Sequence, residues 1–273
     1  MRRLRALLYR LLSGPRVVLP TAPIPGAWTS NLPRWVPLSE RLPGADRSRL
    51  LRLAQLFVRD VPMEGCGGLE LTDEIRVTIG ATASLLLLKL PYPRFPRLRR
   101  VLVYPDTFVP VRIGAYSGPN VQEVPVPELG EAWRDGIVVL SWRDVLRGNA
   151  DPGDGRNVVL HEFAHVLDHE DGAADGRPIL DSAQAKLTWG TVMRGEFERQ
   201  RLATERGEDT LLDPYAATNR AEFFAVATET FFEAGALMRA HLPALYEQLR
   251  RFYKQDPASL EPGSGGDRGE GLV

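Results

Sequence analysis

The stretch VVLHEFAHVLDHEDG, residues 158–172, constrains this chain more than any other part of it. Three of the four histidines, His161, His165 and His169, fall within nine residues; the fourth, His241, is far away. Val158, Val159, Leu160, Phe163, Ala164, Val166 and Leu167 predict a mostly buried helix, on which residues four apart share a face. His161 and His165 can therefore point both imidazoles at one ion, and zinc accepts nitrogen at about 2.0–2.1 Å. Glu162 is one step round the helix, too near in sequence to be a convenient third ligand but well placed to touch a water at the ion. This is H-E-x-x-H in its mechanical sense, two ligands and a general base. The competing reading is a helix whose histidines are satisfied by ordinary partners. The apolar surround weighs against it, because a surface helix would not flank the motif with Val, Leu and Phe on every side.

A zinc peptidase needs a third protein ligand and an open fourth position. The extension H-E-x-x-H-x-x-G-x-x-H fails here, since its glycine position is Asp168 and its last position Asp171. Asp171 stays open as a carboxylate ligand. His169 lies one turn past His165, but three ligands from one straight helix cannot surround an ion tetrahedrally, so an exposed or substrate-side histidine is expected. Asp168 either holds a ligand imidazole through its free N–H or caps and salt-bridges nearby. The later segment DPYAATNRAEFFAVATETFFE, residues 213–233, offers Glu222, Glu229 and Glu233, seven and four apart and so on one helix face. That face reads equally well as a solvated one, and Asn219-x-x-Glu222 resembles a capping box. Spacing alone does not choose among these.

The chain has 273 residues and a net charge of −1, so no bulk pull toward nucleic acid or a membrane surface is expected. The single cysteine, Cys66, rules out an internal disulfide, and with no local base it reads as a small buried hydrophobe. The N-terminal MRRLRALLYRLLSGP is basic and apolar, but Arg5 and Arg10 interrupt the apolar core a signal peptide needs, and a peripheral helix is expected. The run ATASLLLLKL, 81–90, is far short of the roughly 20 apolar residues of a membrane span. The expected location is cytoplasmic, without a transmembrane segment.

Residues 1–38 contain six prolines and little periodicity and read as an arm that drapes over the domain. Helices are expected over 46–61 and about 73–89. Short strands are expected at 99–105 and 136–142, a polar helix at about 182–205, and a strongly helical stretch from Asn219. The tail, 258–273, ends PGSGGDRGEGLV with five glycines in twelve residues and reads as disordered. Helices, then strands, then helices favour an α+β fold over a doubly wound sheet. The domain division is an arm at 1–38, a globular domain at 39–257 and the tail.

Taken together, NVVLHEFAHVLDHEDG and DPYAATNRAEFFAVATETFFE resemble the Mlc titration factor A family of zinc metallopeptidases, which is itself similar to the catalytic domain of anthrax lethal factor. GCGGLELTDEIRVTIGATASLLLL, VLVYPDTFVP, GIVVLSWRDV and LYEQLRRFYKQDP share the likeness, which covers about residues 40–257. The resemblance implies a zincin-like domain with a small mixed or antiparallel sheet. It also implies one zinc ion on His161, His165 and Glu222, rather than Glu229 or Glu233. It further implies Glu162 as base, acting on a zinc-activated water, and Tyr215 as a tyrosine placed over the metal. The leading Pro of the family's P-A-E is Arg220 here, which puts the helix start in doubt. The implied activity is peptide hydrolysis, aminopeptidase in particular, on a peptide or protein substrate. The alternative is a regulator-binding protein that sequesters a transcriptional repressor of sugar uptake, with or without catalysis.

Overall fold

The computed structural model describes residues 19–91, 95–106 and 136–261. The N-terminal basic stretch and the Gly-rich tail from Pro262 lie outside the described residues. Helix α1, Gly26–Trp35, leads through a 3-10 turn at Pro37–Arg41 into α2, Gly44–Asp60. Strand β1 is only Met63–Gly65 and is followed by α3, Asp73–Leu85. Strands β2, Arg100–Tyr104, and β3, Ile137–Ser141, complete a sheet of order β1-β2-β3. Helices α4 (Trp142–Ala150), α5 (Val158–Asp168), α6 (Ala183–Glu205), α7 (Arg220–Glu233), α8 (Gly235–His241) and α9 (Pro243–Tyr253) follow.

Both strand pairings are parallel, with Met63 opposite Val101 and Val101 opposite Val138. The expected mixed or antiparallel sheet is therefore not what the described residues form. The cause is β1: three residues are too short for a periodic signal, yet they turn β1-α3-β2 into a crossover unit, and such units join parallel strands. Parallel strands are covered on both faces, which is why IVVLS of β3 reads as a continuous apolar run. The helices outweigh this sheet, and the class remains α+β.

Helix α3 is apolar all round and buried from Val77 onward, as suits a central helix. Thr72 caps it, its Oγ1 accepting from Ile75 N at 3.3 Å. The expected helix to residue 89 stops at Leu85. Leu86, Leu87 and Leu88 instead bond three residues back, to Ala83, Ser84 and Leu85, so the leucine run continues as tight turns. The region expected to drape as an arm contributes a core element: Trp28, Leu32 and Trp35 of α1 are buried, and Trp28 Nε1 donates to Asp73 Oδ2 at 2.9 Å. Phe163 of α5 sits at the centre of the core, 5.5 Å from Phe57 and 4.9 Å from Phe95 between ring centroids.

Residues just past Pro257 pack against the fold. Ala258 is buried and donates its N–H to the Tyr246 hydroxyl at 3.1 Å, and Glu261 Oε1 accepts from Ala236 N at 2.9 Å, capping the start of α8. A chain ending at Glu261 should melt like the full-length protein. One ending at Asp256 loses a cap, a buried hydrogen bond and the packing of Ala258 and Leu260, together about 2–4 kcal/mol. That should lower the melting temperature by about 5–10 °C. Equal melting temperatures for the two truncations would contradict this packing.

Candidate metal centre

Helix α5 starts where Asn157 Oδ1 accepts from Leu160 N at 3.2 Å and runs as VVLHEFAHVLD, with one face in the core. His161 and His165 are left facing α7. That helix starts equally clearly: Asn219 Oδ1 accepts from Ala221 N at 2.9 Å and from Glu222 N at 3.0 Å. Arg220 therefore opens the helix without a proline, which resolves the doubt at that position. The Asn half of a capping box is present, but the Glu222 carboxylate turns to the histidines.

Three donor atoms converge. His161 Nε2 lies 3.0 Å from Glu222 Oε2, His165 Nε2 lies 3.2 Å from the same oxygen, and the two Nε2 atoms are 3.2 Å apart. Among the described residues, His161, His165 and Glu222 form the group of ligand-type side chains close enough to hold a metal ion together. Bonds of about 2.0–2.2 Å at tetrahedral angles space zinc ligand atoms by about 3.3–3.5 Å, close to what these residues already present. Two ring nitrogens and a carboxylate oxygen are also the donor types zinc takes. The residues fit the group.

Burial disfavours charge on His161, but its hydrogen bonds to Glu222 and Glu229 outweigh it and raise the ring to about 10. Burial alone would raise Glu222, but the bonds from His161 and His165 overcome it and hold the carboxyl at about 2.

The glutamate face of α7 is buried, which removes the solvated-face reading. Glu229 Oε1 lies 2.7 Å from His161 Nδ1, and its Oε2 accepts from Asn157 N at 2.6 Å. Glu233 accepts from Asn157 Nδ2 at 3.1 Å and from Arg156 N at 2.9 Å. Burial raises both carboxyls, Glu233 to about 9. The sequence showed that the three glutamates share a face. It also held the signal that the face is interior: Phe223, Phe224, Val226, Phe231 and Phe232 surround it, leaving α7 no polar side to turn outward.

Glu162 and His161 open onto a cleft of about 520 Å³ that Tyr215 also lines. Tyr215 sits in the 3-10 turn Pro214–Ala217, its N–H donating to Asp213 Oδ1 at 2.9 Å. Arg156 pairs with Asp213 at 2.7 Å, tying the turn to the approach to α5. Far from being a core aromatic, Tyr215 is 49% exposed, with its ring 6.0 Å from that of His161. Burial of its inner half, with Glu222 and Glu162 nearby, raises its hydroxyl.

Other candidates fall elsewhere. His169 is buried in the 3-10 turn His169–Asp171, neither exposed nor on the cleft. Asp171 caps that turn, its Oδ1 accepting from Ala173 N at 3.0 Å, and is outside the metal-ligating group. Asp168 accepts from Gly176 N at 2.9 Å and Arg177 N at 2.6 Å, so it fastens the following loop and holds no ligand imidazole. Burial lifts its carboxyl to about 7 against those two bonds. Gly176 needs its left-handed φ of 71°, and a Cβ there would stand 2.2 Å from Arg220 O, so the loop presses directly on the start of α7.

Two histidines one turn apart on one helix, with a glutamate from an antiparallel neighbour, make a set of ligand-type side chains that could hold a metal ion. The sequence agrees: residues 13–254 match the glucose-regulated metallo-peptidase M90 family, and the chain belongs to it. It is 38% identical over 236 residues to an uncharacterized protein of Synechocystis, covering 86% of each chain. It is 31% identical to Mlc titration factor A of Serratia proteamaculans over 225 residues, 81% of this chain and 85% of that one. It is also 31% identical to Mlc titration factor A of Salmonella agona over 227 residues, 82% and 84% of the two chains. Among the described residues no helix is long and apolar enough to cross a membrane.

Metal content measured after gel filtration should distinguish the carboxylates. Glu222→Ala should lose the ion, whereas Asp171→Ala should keep it. The reverse pattern would transfer the third ligand to Asp171.

Proposed function

We propose that this chain is a zinc-dependent peptidase, with one zinc ion held by His161, His165 and Glu222, Glu162 as general base and Tyr215 as an auxiliary donor. The observation that carries the reading is the convergence of three donor atoms, 3.0–3.2 Å apart, beside a glutamate that opens on the same cleft. Zinc bound there would polarise a substrate carbonyl and lower the pKa of a water toward 7.

The chain's own residues supply the rest. Glu162, next to His161 in the helix, takes the proton of the attacking water and returns it to the leaving amine. The Tyr215 hydroxyl, raised and therefore protonated at neutral pH, donates a hydrogen bond to the carbonyl oxygen as negative charge builds there. Removal of residues from a peptide's amino end is the activity the family resemblance supports. A cytoplasmic location suits the single cysteine.

A second reading rests on the name carried by the 31% identical relatives. Mlc titration factor A is named for a partner, and binding a regulator is compatible with cutting peptides. A pure binder has no use for a base beside the ligands, so Glu162 favours chemistry.

Glu162→Gln keeps size and polarity and removes the base. Zinc content should be unchanged, and turnover of short peptides and aminoacyl reporters should fall by about 10²–10⁴-fold. Tyr215→Phe should lose less. Wild-type turnover in Glu162→Gln would leave the binding reading in its place.

A further inference from the structure

Glu229 and Glu233 of α7 are buried against α5 and are not used by the chemistry above. Glu229 divides its oxygens between two parts of one helix: Oε1 faces the His161 ring at 2.7 Å, and Oε2 accepts from the backbone N–H of Asn157 at 2.6 Å. Asn157 is the residue that caps the same helix. Glu233, one turn on, also holds this start, through Asn157 Nδ2 and Arg156 N, but touches no ring. We infer that Glu229 is a positioning residue for metal binding, fixing His161 with its proton on Nδ1 and its lone pair on Nε2 facing the site, while Glu233 serves the helix start alone.

A neutral imidazole carries one N–H. If Nε2 binds an ion, Nδ1 must be the donor, and a buried donor needs an acceptor. Glu229 Oε1 is that acceptor. A carboxylate is suited to the place because both of its neighbours donate: the ring N–H on one side and the Asn157 N–H on the other. An amide of the same shape cannot serve both. With its oxygen on Asn157, its NH₂ group meets Nδ1 and drives the ring proton onto Nε2, the atom that must ligate. With its oxygen on the ring, its NH₂ group opposes the Asn157 N–H. Because the same carboxylate fixes the ring and the helix start, the imidazole cannot turn without disturbing the anchor of its own helix. The effect on the ion is indirect: Glu229 reaches it only through His161, whereas Glu222 reaches it directly.

This inference rests on His161 being a metal ligand, and the test separates the two. Zinc affinity is measured by competition with a chelating dye on full-length protein stripped of metal, for wild type, His161→Ala, Glu229→Gln and Glu233→Gln. Loss of binding in His161→Ala secures the ligand reading; unchanged binding there would refute that reading itself. Given the ligand reading, Glu229→Gln should weaken zinc by about 10–100-fold, and Glu233→Gln should leave it within about twofold. A twofold or smaller change in Glu229→Gln would overturn the inference. So would an equal loss in Glu233→Gln, which would mean that helix packing alone is responsible. Nitrogen chemical shifts of the His161 ring in unaltered, zinc-loaded protein give a readout that needs no variant to fold. The proton should be on Nδ1 and strongly hydrogen-bonded; a proton on Nε2 would overturn the assignment.

Discussion

Helices α5 and α7 run antiparallel and are joined by carboxylates rather than only by apolar packing. Reading up α5, Asn157 meets Glu233 and Glu229, His161 meets Glu229 and Glu222, and His165 meets Glu222. Three buried glutamates on one helix would be ruinous without partners, since removing a carboxylate from water costs several kcal/mol even after relaxation. Each one here has donors waiting on α5. The pairing sets the register of the two helices, because sliding either by one turn would leave buried carboxyl groups without their hydrogen-bond partners. The metal centre is one end of this ladder and the cap of α5 is the other.

The surrounding fold holds the ladder in place. Phe163 on the opposite side of α5 locks into Phe57 and Phe95, so the helix that presents the histidines is fixed from behind by the core. Trp189 of α6 packs on Phe224 and donates to Gly176 O, in the loop that Asp168 ties down at the end of α5 and that presses on Arg220 at the start of α7. The same short region thus controls where Glu222 begins its helix. The Tyr215 turn is held by Arg156 through Asp213 and by Gln200 of α6 through Leu212 O. Arg156 also donates its backbone N–H to Glu233, so the turn is tied to the same helix pair that carries the ligands, and the tyrosine is its exposed part.

The elements that carry the site could be read from the sequence because each announces itself locally. Helix α5 has a cap, an apolar face and histidines four apart; α7 has Asn219 at its start. What the sequence did not reveal is the part that depends on partners far along the chain. The apolar residues around Glu229 and Glu233 marked their face as interior, but nothing local said that they meet Asn157, some 70 residues away. His169 looks like an exposed polar residue, yet the turn after α5 folds it inward. The direction of the sheet was hidden by the brevity of β1, and α1 was obscured by the prolines around it, although Trp28, Leu32 and Trp35 keep helical spacing.

The two ring nitrogens and one carboxylate oxygen that α5 and α7 bring together are proposed to hold a single zinc ion. X-ray absorption at the zinc edge of the loaded protein tests this most directly. The expected spectrum is a four-coordinate shell of nitrogen and oxygen at about 2.0–2.1 Å, with outer-shell scattering from two imidazoles. A sulfur ligand at about 2.3 Å, which only Cys66 or a methionine could supply, or a shell without imidazole scattering, would contradict it.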